Sequence, residues 1–156
     1  MKITDFLDPK AIKTDLSATD KEAVLKELVN ALAAVKEMGE QKAIVKALLD
    51  RESLGSTGIG QGIAIPHGKT DRVKELVAVL GVSQKGVNFE ALDGEPVYIF
   101  FLLVAPKDTA GPHLKALARI SRLLKDKFVR ESLKSAKDEK TILRIIQQED
   151  SRLTTF

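Results

Sequence analysis

The sequence predicts an α+β (mixed α/β) domain, a three-layer α/β/α sandwich with a β-sheet flanked by helices. Three observations predict it. Apolar residues recur at helical spacing in two stretches before residue 52 and in three after residue 112. Between them lie two short apolar runs, 76–82 and 97–104, rich in β-branched and aromatic residues. Helices on both sides of a strand cluster bury their apolar faces best as outer layers.

The elements follow in order. Residues 6–12 read as a lead-in and 11–16 as a first strand. Thr19-Asp20-Lys21-Glu22 has the spacing of a capping box. Leu25, Leu28, Val29, Leu32 and Val35 then mark a helix that Gly39 is expected to end. A second helix is expected over 41–51, with Ile44, Val45, Leu48 and Leu49 inward. A glycine-rich loop follows. The run 76–82 is a strand, 87–89 a short strand or bulge, and 91–95 a turn. The continuous apolar run 97–104 is typical of a central strand covered on both faces. Helices are expected over 113–124, 126–134 and 138–148. Residues 1–149 are expected to form one domain, and 150–156, which lack periodicity, a frayed tail.

Composition narrows the function. The chain of 156 residues is long enough for a real core. It has no cysteine, which excludes disulfides, thiol catalysis and cysteine-ligated zinc. A net charge of +3, with cations spread among acids, is not that of a dedicated nucleic-acid binder. Aromatics at 4% argue against a base-stacking platform. The N-terminus lacks the apolar core of a signal peptide, and no apolar run is long enough to span a bilayer. The expected location is the cytoplasm, with no membrane insertion and no nucleic-acid partner.

Residues 55–70, GSTGIGQGIAIPHGKT, hold five of the ten glycines and one of the two histidines. So much glycine serves a backbone shape or a close approach. A P-loop reading fits poorly: five residues separate Gly62 from Gly68 where the motif has four, and Pro66 has no N–H to offer a phosphate. In a dinucleotide fingerprint the third glycine would come one residue later, and a strand, not a helix, would precede it. Two histidines far apart with no cysteine carry no metal-ligand spacing, so neither metal nor cofactor is expected.

The remaining reading is a phosphoryl-accepting histidine. Neutral imidazole has one bare nitrogen and a pKa of roughly 6.5, so it is a competent nucleophile at neutral pH. His67 lies between Pro66, which fixes the chain, and Gly68, which is expected to leave room beside the ring. Loop amides over 55–60 and Arg51 are available to hold phosphoryl oxygens. His113 shares its apolar side with Leu117, Ile120 and Leu124. A histidine there is more often a hydrogen-bonded core residue, but the start of a helix also suits a phosphoryl group. Both readings of His113 stand at this point. Ile59, Ile63 and Ile65 either anchor the segment to the core or leave at least one isoleucine outside for a partner.

Residues 51–69, RESLGSTGIGQGIAIPHGK, resemble the active-site signature of the IIA components of the bacterial sugar phosphotransferase system (PTS). The branch is the fructose/mannitol type, which includes the nitrogen-regulatory IIA proteins. Residues 112–124 resemble the second histidine segment of that family, and the resemblance extends to about Gln148. It implies a mixed β-sheet between helices. It implies that His67 accepts phosphoryl through Nε2 from an HPr-like phosphocarrier protein, with His113 and Arg51 beside it. It also implies regulatory protein targets read by phosphorylation state. The alternatives are a free-standing fructose-type IIA that passes phosphoryl to a IIB component, or a protein-binding module that relays nothing.

Overall fold

The apolar run near residue 100 becomes the spine of the sheet. In the computed structural model, which describes residues 1–154, a short 3-10 turn (Ile3–Asp5) leads into β1 (Leu7–Lys13). Then come α1 (Lys21–Ala33), α2 (Gln41–Glu52), β2 (Gly58–Gly60), β3 (Ile63–Ala64), β4 (His67–Thr70), β5 (Val77–Val87) and β6 (Val97–Pro106). The chain continues as α3 (Gly111–Lys125), α4 (Lys127–Ser135) and α5 (Glu139–Thr154).

The strands form one sheet in the order β1-β5-β6-β3-β2, with β4 also on β6. The β5–β6 and β2–β3 pairs are antiparallel, and β1–β5, β3–β6 and β4–β6 are parallel, so the sheet is mixed. Along β6 every residue but Tyr98 is buried, as expected of an apolar strand covered on both faces. Helices α1 and α2 pack on each other, with α1 on β5 and α2 on β4. Helices α3, α4 and α5 pack on one another and on β1, β5 and β6. Two helical groups around a sheet give the three expected layers. Gly81 shows how close they come: a Cβ there would lie 2.6 Å from Leu28 and 2.7 Å from Leu16.

Several boundaries differ from the sequence expectation. The first strand covers 7–13 rather than 11–16. Residues 6–12, expected as a lead-in, include Pro9, but β1 is an edge strand, where proline is tolerated, and its register with β5 shifts between Leu7 and Ile12. The N-cap of α1 is Asp20, whose side chain accepts from the Ala23 N–H, so the Thr19–Glu22 capping box does not form. Gly39 does not end α1, which stops at Ala33. Its N–H bonds the Arg72 carbonyl at 2.8 Å, and a Cβ there would lie 2.8 Å from the Arg72 side chain.

The expected frayed tail is helix as far as Thr154. Its anchor is polar, which is why apolar periodicity did not reveal it. Asp150 is buried, accepts the Ile3 N–H at 2.7 Å and pairs with Arg119 of α3. Residues 155–156 lie outside the described residues.

Candidate functional site

The glycine-rich segment is not an open loop but the three short strands β2, β3 and β4. Gly60, Gln61 and Gly62 turn the chain between β2 and β3 with φ of 99, 59 and 78°. Such values suit glycine, and the one exception, Gln61, is held by its N–H to Asp93 Oδ2 at 3.2 Å. Strands β3 and β4 lie along β6 in a single register, Ile63 opposite Ile99 and His67 opposite Leu103. Pro66 interrupts the ladder because it has no N–H, yet its carbonyl still accepts from Leu103 at 2.9 Å. The segment runs on to strand β5, not to a helix N-terminus, so neither phosphate-loop geometry nor a dinucleotide turn is present.

His67 is half-buried at the start of β4, with Nδ1 2.8 Å from the Ile65 carbonyl oxygen. A carbonyl can only accept, so Nδ1 carries the hydrogen and Nε2 holds the lone pair. Burial lowers the His67 pKa below its ordinary value of 6.5. The Ile65 carbonyl opposes this, the Arg51 charge adds to it, and Glu52 opposes it. The ring is therefore neutral at pH 7. Gly68 does not clear space beside it. Its bare Cα faces α2, where a Cβ would meet Ala47 at 3.5 Å and Leu48 at 3.6 Å. Alternation along the strand sends the imidazole to the opposite face.

On that face lies His113, in the first turn of α3 and 5% exposed. The two rings meet edge to face, with centroids 5.7 Å apart and planes at 70°. His113 Nε2 is buried without a hydrogen-bond partner, the one such side-chain atom found among the described residues. A satisfied core histidine would not leave it so. Burial, then repulsion from His67 when that ring is protonated and from the Lys69 charge, lower the His113 pKa. Arg51 sits in the last turn of α2 and donates from Nη1 to the Gly55 carbonyl at 2.9 Å. The structure thus brings the rings of His67 and His113 together, with the Arg51 charge within reach of His67.

Of the expected amide cradle over 55–60, three of the six N–H groups are committed elsewhere. The Gly55 N–H bonds the Glu52 carbonyl, the Thr57 N–H the Glu52 carboxylate, and the Gly58 N–H the Ser56 hydroxyl. Sequence reasoning missed Glu52, buried at 6% exposure, and its partners Thr57 and Lys21. A glutamate at a helix end reads as solvated, and only a basic partner brought from another helix could have shown otherwise. Of the three isoleucines, Ile63 and Ile65 are core, while Ile59 is 52% exposed. No group of three His, Cys, Asp or Glu positioned to hold a metal occurs among the described residues. No helix among them is long and apolar enough to cross a membrane.

Residues 5–149 match the family described as phosphoenolpyruvate-dependent sugar phosphotransferase system, EIIA 2. Over 150 residues the chain is 41% identical to the PTS system fructose-specific EIIABC component of Bacillus subtilis. That alignment takes in 96% of this chain but only 24% of that much longer protein. A nitrogen regulatory protein of Bradyrhizobium diazoefficiens is 38% identical over 146 residues, covering 94% of this chain and 95% of its own length. The crystal structure of nitrogen regulatory protein IIA-Ntr from Neisseria meningitidis superposes with a TM-score of 0.84 at 31% identity, over 92% of this chain and 98% of that one.

Proposed function

The chain belongs to the EIIA 2 family of the phosphoenolpyruvate-dependent sugar phosphotransferase system, whose members are phosphoryl-transfer components, and from that premise we propose that it relays phosphoryl through a phosphohistidine at His67. The observation that carries this reading is the bond from His67 Nδ1 to the Ile65 carbonyl, which leaves Nε2 bare on a neutral ring. Nε2 attacks the phosphorus of a phosphorylated HPr-like carrier in line. The P–N bond to the carrier's histidine breaks as the P–Nε2 bond forms, and no metal is required. Such transfer is mostly positioning and charge stabilisation.

Arg51 and His113 assist. The Arg51 guanidinium neutralises the transferred oxygens, which a planar fork does better than an ammonium. His113, with Nε2 unpartnered beside the acceptor ring, offers a hydrogen bond that is made only once the phosphoryl group arrives. The exposed side chain of Ile59 contacts the docked carrier.

Phosphorylation adds roughly two negative charges where the ring was neutral. That change is the output, read by regulatory protein targets. Matching over nearly the full length of a nitrogen regulatory protein favours this role. The 41% identity to one part of a fructose-specific EIIABC component favours a second reading, transfer onward to a IIB component. The test is incubation with phosphoenolpyruvate, the carrier kinase and the carrier. The relay reading expects an acid-labile phosphohistidine on this chain. Absence of label despite a fully phosphorylated carrier would leave only the non-relaying binding module.

A further inference from the structure

The carboxylate of Glu52 lies at the start of an unbroken path of hydrogen bonds that ends on the His67 ring. Glu52 Oε1 accepts the Thr57 N–H at 3.1 Å, and Oε2 accepts the Thr57 hydroxyl. The Thr57 carbonyl accepts the Ile65 N–H at 3.1 Å. The Ile65 carbonyl accepts the His67 Nδ1–H at 2.8 Å. The same turn is gripped from its other side, where Arg51 Nη1 bonds the Gly55 carbonyl. The Glu52 carboxylate is thus linked through Thr57 and Ile65 to the ring, within the same turn on which Arg51 rests.

This carboxylate is expensive to place. It is buried, and a buried charge persists only when it is paired and hydrogen-bonded. Lys21 supplies the pairing at 3.2 Å, from a side chain that is itself mostly buried. Lys21 is the first residue of α1, where a cation opposes the helix dipole, so α1 gains nothing from it there. Its exposed second partner, Glu90 at 3.8 Å, does not explain its burial either. The ammonium is drawn in by Glu52 and rests over the Phe89 ring, 4.9 Å from its centroid. Two helices therefore contribute a matched pair of charges to one five-residue turn.

We propose that Glu52, neutralised by Lys21 and clasping Thr57, is a positioning residue for phosphoryl acceptance, holding the His67 ring with Nδ1 protonated and Nε2 turned to the incoming group. The proposal rests on the relay reading for its consequence in transfer, and on geometry alone for its effect on the ring. Each bond fixes one residue of the path, so the backbone of Thr57 and Ile65 passes the constraint from the carboxylate to the ring. Loss of the first member loosens the Ile65 carbonyl and with it the choice of tautomer.

The test combines transfer kinetics with nitrogen-15 NMR of the His67 ring, which needs no carrier. Glu52→Gln keeps the size and one acceptor but removes the charge. Misplacing a reacting group by a fraction of an ångström is costly, so this variant should slow saturated transfer by about tenfold or more. The KM for the carrier should change by less than about twofold, because docking is untouched. In the free protein the ring should show a mixture of tautomers and titrate at lower pH, having lost the carboxylate charge that opposes burial and the Arg51 charge. Thr57→Val removes the hydroxyl but leaves the Lys21–Glu52 pair, and should give the same tautomer mixture with a smaller kinetic loss; Thr57→Ser should rescue both. A folded Glu52→Gln with the wild-type tautomer and wild-type saturated rate overturns the proposal. So does an effect confined to KM. If Glu52→Gln does not fold, an unchanged tautomer in Thr57→Val overturns it instead. If the wild type accepts no phosphoryl but the ring still responds to Glu52→Gln, the relay reading fails and the positioning stands.

Discussion

Strand β6 and the line formed by β3 and β4 lie side by side in one register, yet they are built on opposite terms. β6 is ten residues of nearly unbroken apolar burial. Its neighbour is six residues of strand interrupted by Pro66, entered through three consecutive positive-φ residues, and carrying a half-buried histidine. The first is specified by what its side chains exclude. The second is specified by backbone demands and by one ring, and it borrows its stability from β6. The site thus sits on a rigid ladder without being part of the core that makes the ladder rigid, so function and stability should separate cleanly between the two strands.

The largest effect expected is complete loss of phosphoryl labelling in His67→Ala, with a thermal midpoint close to wild type. Label persisting in that variant would break the comparison at its first step. The mirror experiment is Leu102→Ala in β6. Removing a fully buried leucine should cost about 2–5 kcal/mol of stability in denaturant titration. The fraction that stays folded should still accept phosphoryl. Loss of transfer in folded Leu102→Ala would mean that the two strands are not separable.

Next in size is Arg51→Lys. It keeps the charge but loses the fork that bonds the Gly55 carbonyl, and should slow transfer without preventing it. A wild-type rate would remove Arg51 from the account.

The pH dependence sharpens the contrast further. Burial is the first cause of the lowered pKa of both histidines. Acceptance should therefore stay level as pH falls from 7.5 to about 6.5, and decline only below, where His67 at last takes up a proton. Stability carries the same sign. The unfolded chain binds protons at these positions first, so the stability is complete above about pH 6.5 and is lost as pH falls from there through the lower folded values. Melting temperature against pH in wild type and His67→Ala should show a shallower acid decline in the variant. A steeper one would reverse the sign argued here.

The smallest effects come from two glycines of the same segment. Gly62, at φ +78°, should lose about 1–2 kcal/mol on substitution by alanine, the cost of the left-handed backbone. Gly68→Ala should stay within about 0.5 kcal/mol of wild type, since its Cβ would make ordinary contacts with Ala47 and Leu48. Equal losses at both would mean that the segment is held by packing rather than by backbone shape.

The same contrast explains what the sequence disclosed. β6, the helical faces and the layer order were legible because apolar spacing is written directly in the residues. His67, His113 and Arg51 were named from a long and specific signature, and the fold brings the two rings together with the Arg51 charge acting on His67. The strands within the glycine segment were not, because two- to four-residue strands carry no periodicity and their pairing is set by β6. The role of Gly68, and of three of the loop amides, was misjudged for a related reason: which way a backbone group points depends on what packs behind it. Glu52 and Asp150 were missed because buried carboxylates look, in sequence, like solvated ones. Their partners lie on other elements, Lys21 on α1 and Arg119 on α3.

The most direct test of the account is to identify the phosphorylated nitrogen. Protein labelled with nitrogen-15 at histidine, phosphorylated by the carrier system, should show phosphorus coupled to Nε2 of His67, with Nδ1 still protonated and bonded to the Ile65 carbonyl. Phosphoryl on Nδ1 of His67, or on His113, would contradict it, because the hydrogen bond that leaves Nε2 free would then not select the acceptor.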